Sequence, residues 1–177
     1  MPPPIKVELL PHDPRFAHLA DVEARLLAQA LGPNLWVVHH IGSTAIPAIR
    51  AKPILDLMPV VGSMAELDKC RGEIEALGYA WWGEYGLPGR RYCSKSDPKT
   101  GRRIAQLHCY ENGSTEITRH LAFRDYLRAR PELAAEYDRV KAECQRQHPD
   151  DSHAYSDCKA AWIKDAEANA LKWHQAK

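Results

Sequence analysis

Two short apolar runs, "LWVVHHI" and "PILDLMPVV", flank a Gly-Ser-Thr break, and this pairing limits the fold more than any other feature. Both runs are short and rich in β-branched residues, so they predict strands rather than buried helices. Pro59 has no N–H for a ladder, which assigns the second strand to a sheet edge or a bulge. A single carboxylate, Asp56, stands inside that second run. An acid there is costly unless it meets a partner, a cation or water.

The rest of the chain sorts around these strands. Asp13 and Pro14 offer an N-cap and a first helical position. Phe16, Leu19, Ala20, Leu26, Leu27 and Leu31 then recur at helical spacing up to Gly32, a C-terminal stop. Ser63 and Glu66 form a capping box for a helix that closes at Gly78. "YAWWGE" reads as a further strand, and "RRYCSK" and "RIAQLHCY" as a hairpin about "SDPKTG". From Ser114 the pattern turns helical, with Pro131 opening a new helix and "HPDDS" a loop before the last one. The expected class is α+β: a small mixed β-sheet flanked by helices, with a C-terminal helical segment. At 177 residues the chain reads as one domain, sheet core about 1–112 and helical tail about 113–177.

Charge narrows the function classes. The formal net charge is +1, too little for broad nucleic-acid binding. No apolar run approaches a membrane span, and prolines interrupt the apolar start "MPPPIKVELLPHDP", so a cytoplasmic location is expected. The five cysteines are odd in number, scattered and without a C-x-x-C, which favours reduced, packed thiols over a disulfide framework or zinc site. Neither a P-loop nor a dinucleotide fingerprint occurs.

At Gly42 and Ser43 the backbone can turn tightly and approach a ligand closely. A turn that opens a short helix presents N–H groups to anions, and Lys52 adds a positive charge nearby in sequence. The bland alternative is an ordinary turn, with Asp56 solvated or paired with Lys52 or an arginine.

The segments "HIGSTAIPAIRAKPILDL", "LPGRRYCSK", "LHCY", "TRHLAFRDYLRARPELAAEYDRVK" and "AYSDCKAAWI" together resemble the GrpB-like family, which is assigned to the nucleotidyltransferase superfold. The resemblance covers nearly the whole chain in the family's order. It implies that Gly42, Ser43 and Thr44 cradle phosphate and that Asp56 holds a divalent ion. Nucleotidyl transfer develops charge on phosphate oxygens, which cations and fixed donors stabilise. The superfold's usual acid pair is separated by one residue, and here the second position is Met58. One carboxylate holds two hard cations poorly, so the resemblance points either to recruitment of other ligands or to binding without reaction.

His108, on the expected strand "QLHCY", is the counterpart of the superfold's later-strand ligand. The implied cofactor is a divalent ion, magnesium or manganese; with His108 as a ligand beside Asp56 the set suits a softer ion such as zinc, manganese or nickel better than magnesium, or His108 serves as a base. His40, next to the turn, is assigned to the same pocket and His39 to the opposite face. Glu84 is the candidate second acid from elsewhere, with a solvated strand end as the alternative. Arg90 and Arg91 head a basic cluster suited to phosphate. The resemblance makes the helix carrying His120 and Arg124 a wall of the pocket, and Tyr155 and Lys159, one turn apart, a further one. The expected ligand is a nucleotide or phosphorylated small molecule, with membrane excluded and nucleic acid disfavoured.

Overall fold

The computed structural model describes residues 2–177. Helix α1 (Arg15–Leu31) buries Phe16, Ala20, Leu27 and Leu31 of the stripe read from the sequence, whereas Leu19 is exposed; its N-cap is Pro14 rather than Asp13, and Gly32 closes it at φ +57°. Strand β1 (Leu35–Ile41) and strand β2 (Leu55–Val61) pair antiparallel. The Ser63 hydroxyl caps α2 (Met64–Lys69) by accepting from the Glu66 N–H at 3.3 Å. The helix expected to run on to Gly78 breaks at Cys70, and α3 (Arg71–Ala76) follows. Then come β3 (Tyr79–Trp81), β4 (Arg91–Ser96), β5 (Arg103–Glu111) and the helices α4 (Thr115–Ala129), α5 (Pro131–Gln147) and α6 (Ser152–Gln175).

The five strands form one mixed sheet in the order β1-β2-β5-β4-β3. β2 and β5 are parallel, and the other neighbours antiparallel. The α+β expectation holds. Pro59, assigned to an edge or a bulge, lies instead in an interior strand opposite Val38. The pairing of β2 with β5 lapses at Met58 and Pro59, so the missing donor falls where no ladder bond is recorded.

The chain divides into two compact units, residues 14–42 with 54–117 and residues 2–13 with 43–53 and 118–177. In the sheet unit, Leu55, Leu57 and Val61 of β2 and Leu107 and Cys109 of β5 point to one face. There they bury with Phe16, Leu27, Leu31, Leu67 and Ile74 of the helices. Strand alternation therefore sends Asp56, Met58 and His108 to the other face. In the helical unit, Ile46, Ile49, Leu127, Ala134 and Tyr137 form one core, and Val7, Cys144 and Tyr155 another. Among the described residues no helix is long and apolar enough to cross a membrane.

One cysteine expectation is overturned. Cys144 on α5 and Cys158 on α6 form a disulfide, their Cα atoms 5.8 Å apart. The helical hairpin brings together two cysteines 14 residues apart that no short motif marks. Closing a loop of that length removes unfolded-state entropy worth about 3 kcal/mol. Reduction with dithiothreitol is therefore expected to lower the melting temperature by several degrees, read by calorimetry with and without reductant. An unchanged melting temperature would show that the bond holds nothing that α5 and α6 do not already hold.

Candidate functional site

Asp56 and His108 meet. His108 Nε2 lies 3.1 Å from Asp56 Oδ1 across the parallel β2–β5 pair. The two positions are offset by two residues along their strands and share a face, which is how a diagonal cross-strand contact arises. Both side chains are half-buried, the aspartate 29% and the histidine 15% exposed. The ring of Tyr92, the cross-strand partner of His108 on β4, stands 5.5 Å from the imidazole. Burial, with a smaller contribution from Asp56, pushes the Tyr92 hydroxyl up to about 12, so it stays protonated at neutral pH.

Gly42 closes the other side of the carboxylate. It has φ +72°, and a Cβ there would lie 2.7 Å from Asp56 Oδ2 and 3.0 Å from Asp56 Cβ. Only glycine fits this approach without displacing the acid. The chain then turns through a 3₁₀ segment, Ser43–Ala45, which belongs to the helical unit. Within that unit Ile46 N–H donates to Ser43 O at 3.1 Å, and Arg128 Nε of α4 donates to Ala45 O at 2.8 Å. Thr44 is buried in the turn, 3% exposed.

Met58 occupies the position of the missing second acid and is fully buried, with His39 as its cross-strand neighbour on β1. This corrects the histidine assignment. His40 pairs with Leu57 and so faces the helix-covered core, whereas His39 shares the face of Met58 and Asp56. Proximity to the turn suggested His40, but strand pairing decides which face a side chain takes.

The remaining candidates have structural partners. Glu84 accepts from the Gly89 N–H at 2.8 Å and lies 3.8 Å from Arg91. Among the described residues no group of three His, Cys, Asp or Glu side chains is placed to hold a metal. Arg90, 8% exposed, donates to the carbonyls of Glu84 and Tyr85 and lies over the rings of Tyr85 and Tyr92, which shapes the loop before β4. Arg91 makes a fork with Asp68 of α2 at 2.6 and 2.8 Å, and these bonds hold its guanidinium charged. In the helical unit, His120 lies 3.1 Å from Arg119, and Arg124 pairs with Asp125 at 2.8 Å. Lys52 stands over the Tyr155 ring at 5.5 Å.

The fold is shared with a poly(U) polymerase. A Cid1 poly(U) polymerase structure with bound Mg and 3′-dATP superposes at a TM-score of 0.55 and 13% identity, over 79% of this chain and 45% of that one. At that identity the likeness concerns the fold alone. The chain belongs to the GrpB family: the profile described as GrpB protein matches residues 6–169. The crystal structure of the conserved protein GrpB from Enterococcus faecalis superposes at a TM-score of 0.89 and 38% identity, over 95% of this chain and 99% of that one. Longer proteins carry a similar segment. The UPF0157 protein YqkA of Bacillus subtilis is 41% identical over 175 residues, 99% of this chain but 50% of its own length. The protein named dephospho-CoA kinase in Mycolicibacterium paratuberculosis is 28% identical over 192 residues, 94% of this chain and 46% of its own length. The chain thus spans about half the length of these two relatives.

Proposed function

We propose that this protein binds a nucleotide or a phosphorylated small molecule at the Asp56–His108 face and transfers a nucleotidyl or related phosphate group to a small acceptor. The 3.1 Å contact between Asp56 and His108, closed in by Gly42, carries this reading. A carboxylate bonded to an imidazole orients the ring and stabilises it when it takes up a proton. The Asp56–His108 pair takes up the proton of an acceptor hydroxyl, whose oxygen forms the new bond to phosphorus while the pyrophosphate oxygen leaves with the bonding electrons.

The residues fit a divalent ion that arrives with the ligand rather than a resident one. Asp56 and His108 offer one carboxylate and one imidazole, a set that suits manganese or a softer ion better than magnesium. When bound, such an ion would neutralise charge on the phosphate oxygens.

Buried Met58 favours a second reading, a fold that binds its ligand without reacting. The same experiment separates the two. Melting temperature is measured with ATP, CTP and dephospho-CoA, the last suggested by the kinase-named relatives, each with manganese or EDTA. One of them is expected to stabilise the protein by several degrees, and Asp56→Ala to abolish the effect. Pyrophosphate release then distinguishes transfer from binding. If no nucleotide shifts the melting temperature under any condition, both readings fail.

A further inference from the structure

A register shift in the sheet sets one arginine apart. From Arg91↔Cys109 to Lys95↔Ala105 the pairing of β4 with β5 is regular, and then it slips so that Ser96 faces Arg103. Ile104 is left without a partner on β4, which makes the slip a β-bulge. In an unbroken strand, alternation from His108 would send residue 103 to the helix-covered face with Ala105 and Leu107. Instead Arg103 lies opposite Ser96, and Ser96, Ser94 and Tyr92 alternate onto the face that carries His108. The bulge thus turns Arg103 onto the face of Asp56 and His108, and all of these residues lie within the sheet unit.

Arg103 differs from the other cations beside it. Arg90 donates to the Glu84 and Tyr85 carbonyls, Arg91 to Asp68, and Lys95 to Glu23 at 2.8 Å. Half-buried Arg103 has no ion pair among the described residues, and its Nε is buried without a hydrogen-bond partner. A buried donor on a charged group is costly to leave unmet. Charge also ties Arg103 to the site. Burial lifts the Tyr92 hydroxyl, Arg103 acts to lower it and Asp56 to raise it, so both charges act on the residue whose ring stands beside His108. Gln106 lies between Arg103 and His108 on β5, directly beside Asp56 of β2.

We propose that Arg103 binds the far end of the ligand's phosphate chain, so that this face takes a nucleoside polyphosphate rather than a monophosphate. The inference rests on the function proposed above. The strand from Arg103 to His108 spans roughly 15 Å. The arginine side chain covers part of that distance, and a phosphate chain matches the rest better than a lone phosphate. The guanidinium fork gives two parallel N–H bonds to phosphate oxygens, and the Gln106 amide offers a donor along the way. In the transfer proposed, the end held by Arg103 leaves as pyrophosphate, and a fixed cation there stabilises the charge it gains.

The first probe is inorganic tripolyphosphate in EDTA, with sodium chloride at equal ionic strength as control, read as a melting-temperature shift across concentrations. Binding is expected in the wild type and in Asp56→Ala alike, and to be about tenfold weaker in Arg103→Gln. Arg103→Lys keeps the charge without the fork and is expected to bind between the two. Arg103→Gln removes an unmet donor, so its ligand-free melting temperature is expected to be no lower than the wild type's, which separates a lost contact from a lost fold. The second probe is ATP against AMP, each with manganese. ATP binding is expected to weaken about tenfold in Arg103→Gln and AMP binding to stay unchanged. Equal tripolyphosphate binding by wild type and Arg103→Gln, or an equal shift with chloride, would overturn the inference. An equal loss for ATP and AMP would overturn the assignment to the far end of the chain. An ATP response that needs Asp56 but is indifferent to Arg103 would also overturn it, while leaving the Asp56–His108 reading intact. Tripolyphosphate binding that needs Arg103, with no nucleotide response in the wild type, supports the anion site and counts against that reading.

Discussion

Gly42→Ala is expected to destabilise the protein by about 2–5 kcal/mol and to separate Asp56 from His108. The backbone at Gly42 is left-handed, at φ +72°, which costs a residue with a Cβ about 1–2 kcal/mol. The added carbon would also meet Asp56 at Oδ2, Cβ and Cγ, at 2.7, 3.0 and 3.2 Å. A rotation of the carboxylate cannot relieve all three, because the Asp56 Cβ is fixed to a paired strand. The relief left is to shift β2 or to push the carboxylate off its contact with His108. Urea unfolding measures the first effect. The second predicts that Gly42→Ala loses the nucleotide response as Asp56→Ala does, even at temperatures where it is fully folded. A Gly42→Ala protein with full stability and full nucleotide response would show that the close approach carries no weight.

What was legible in the sequence follows the range of the forces involved. The α1 stripe, the Ser63 cap with Glu66, the Pro131 helix start and the hairpin about "SDPKTG" are all set by neighbours within a few residues, and all are found in the structure. The meeting of Asp56 with His108 needs β5 to insert beside β2, past β3 and β4, which only the family resemblance suggested. The face of His39 was misread because one residue of register reverses every side chain, and the register here is fixed by pairing with β2 rather than by the turn. Arg91 read as a phosphate contact because its partner Asp68 lies on α2, 23 residues away, whereas Glu84 folds onto the Gly89 N–H within its own loop. Nothing in the local sequence marks Lys141 as buried. What buries it, the 43–53 segment and α6, lies far from it in the chain order or across a loop.

Lys141 is expected to make stability rise with pH between about 7 and 10.5. Burial comes first, and Lys159 second, in lowering its ammonium from the ordinary 10.5 to about 7. Asp138 opposes them, while Arg50 and Lys52 add smaller repulsions, and the Tyr155 hydroxyl, held well above its ordinary range by burial, stays neutral throughout. Below pH 7 the folded and unfolded chains both carry the proton, and the folded state bears the whole cost of a buried charge. Between the two values the unfolded chain holds more protons, so stability increases with pH. Above both values the lysine is neutral in each state and the cost is gone. The difference between the two ends is about 4–5 kcal/mol for this one group. Lys141→Met keeps the length, removes the charge and forfeits the bond to the Arg50 carbonyl. It should therefore flatten the pH profile and gain about 1–3 kcal/mol at pH 6. Urea unfolding of both proteins at pH 6, 8 and 9.5 measures this, and an equal slope in the two would refute the assignment.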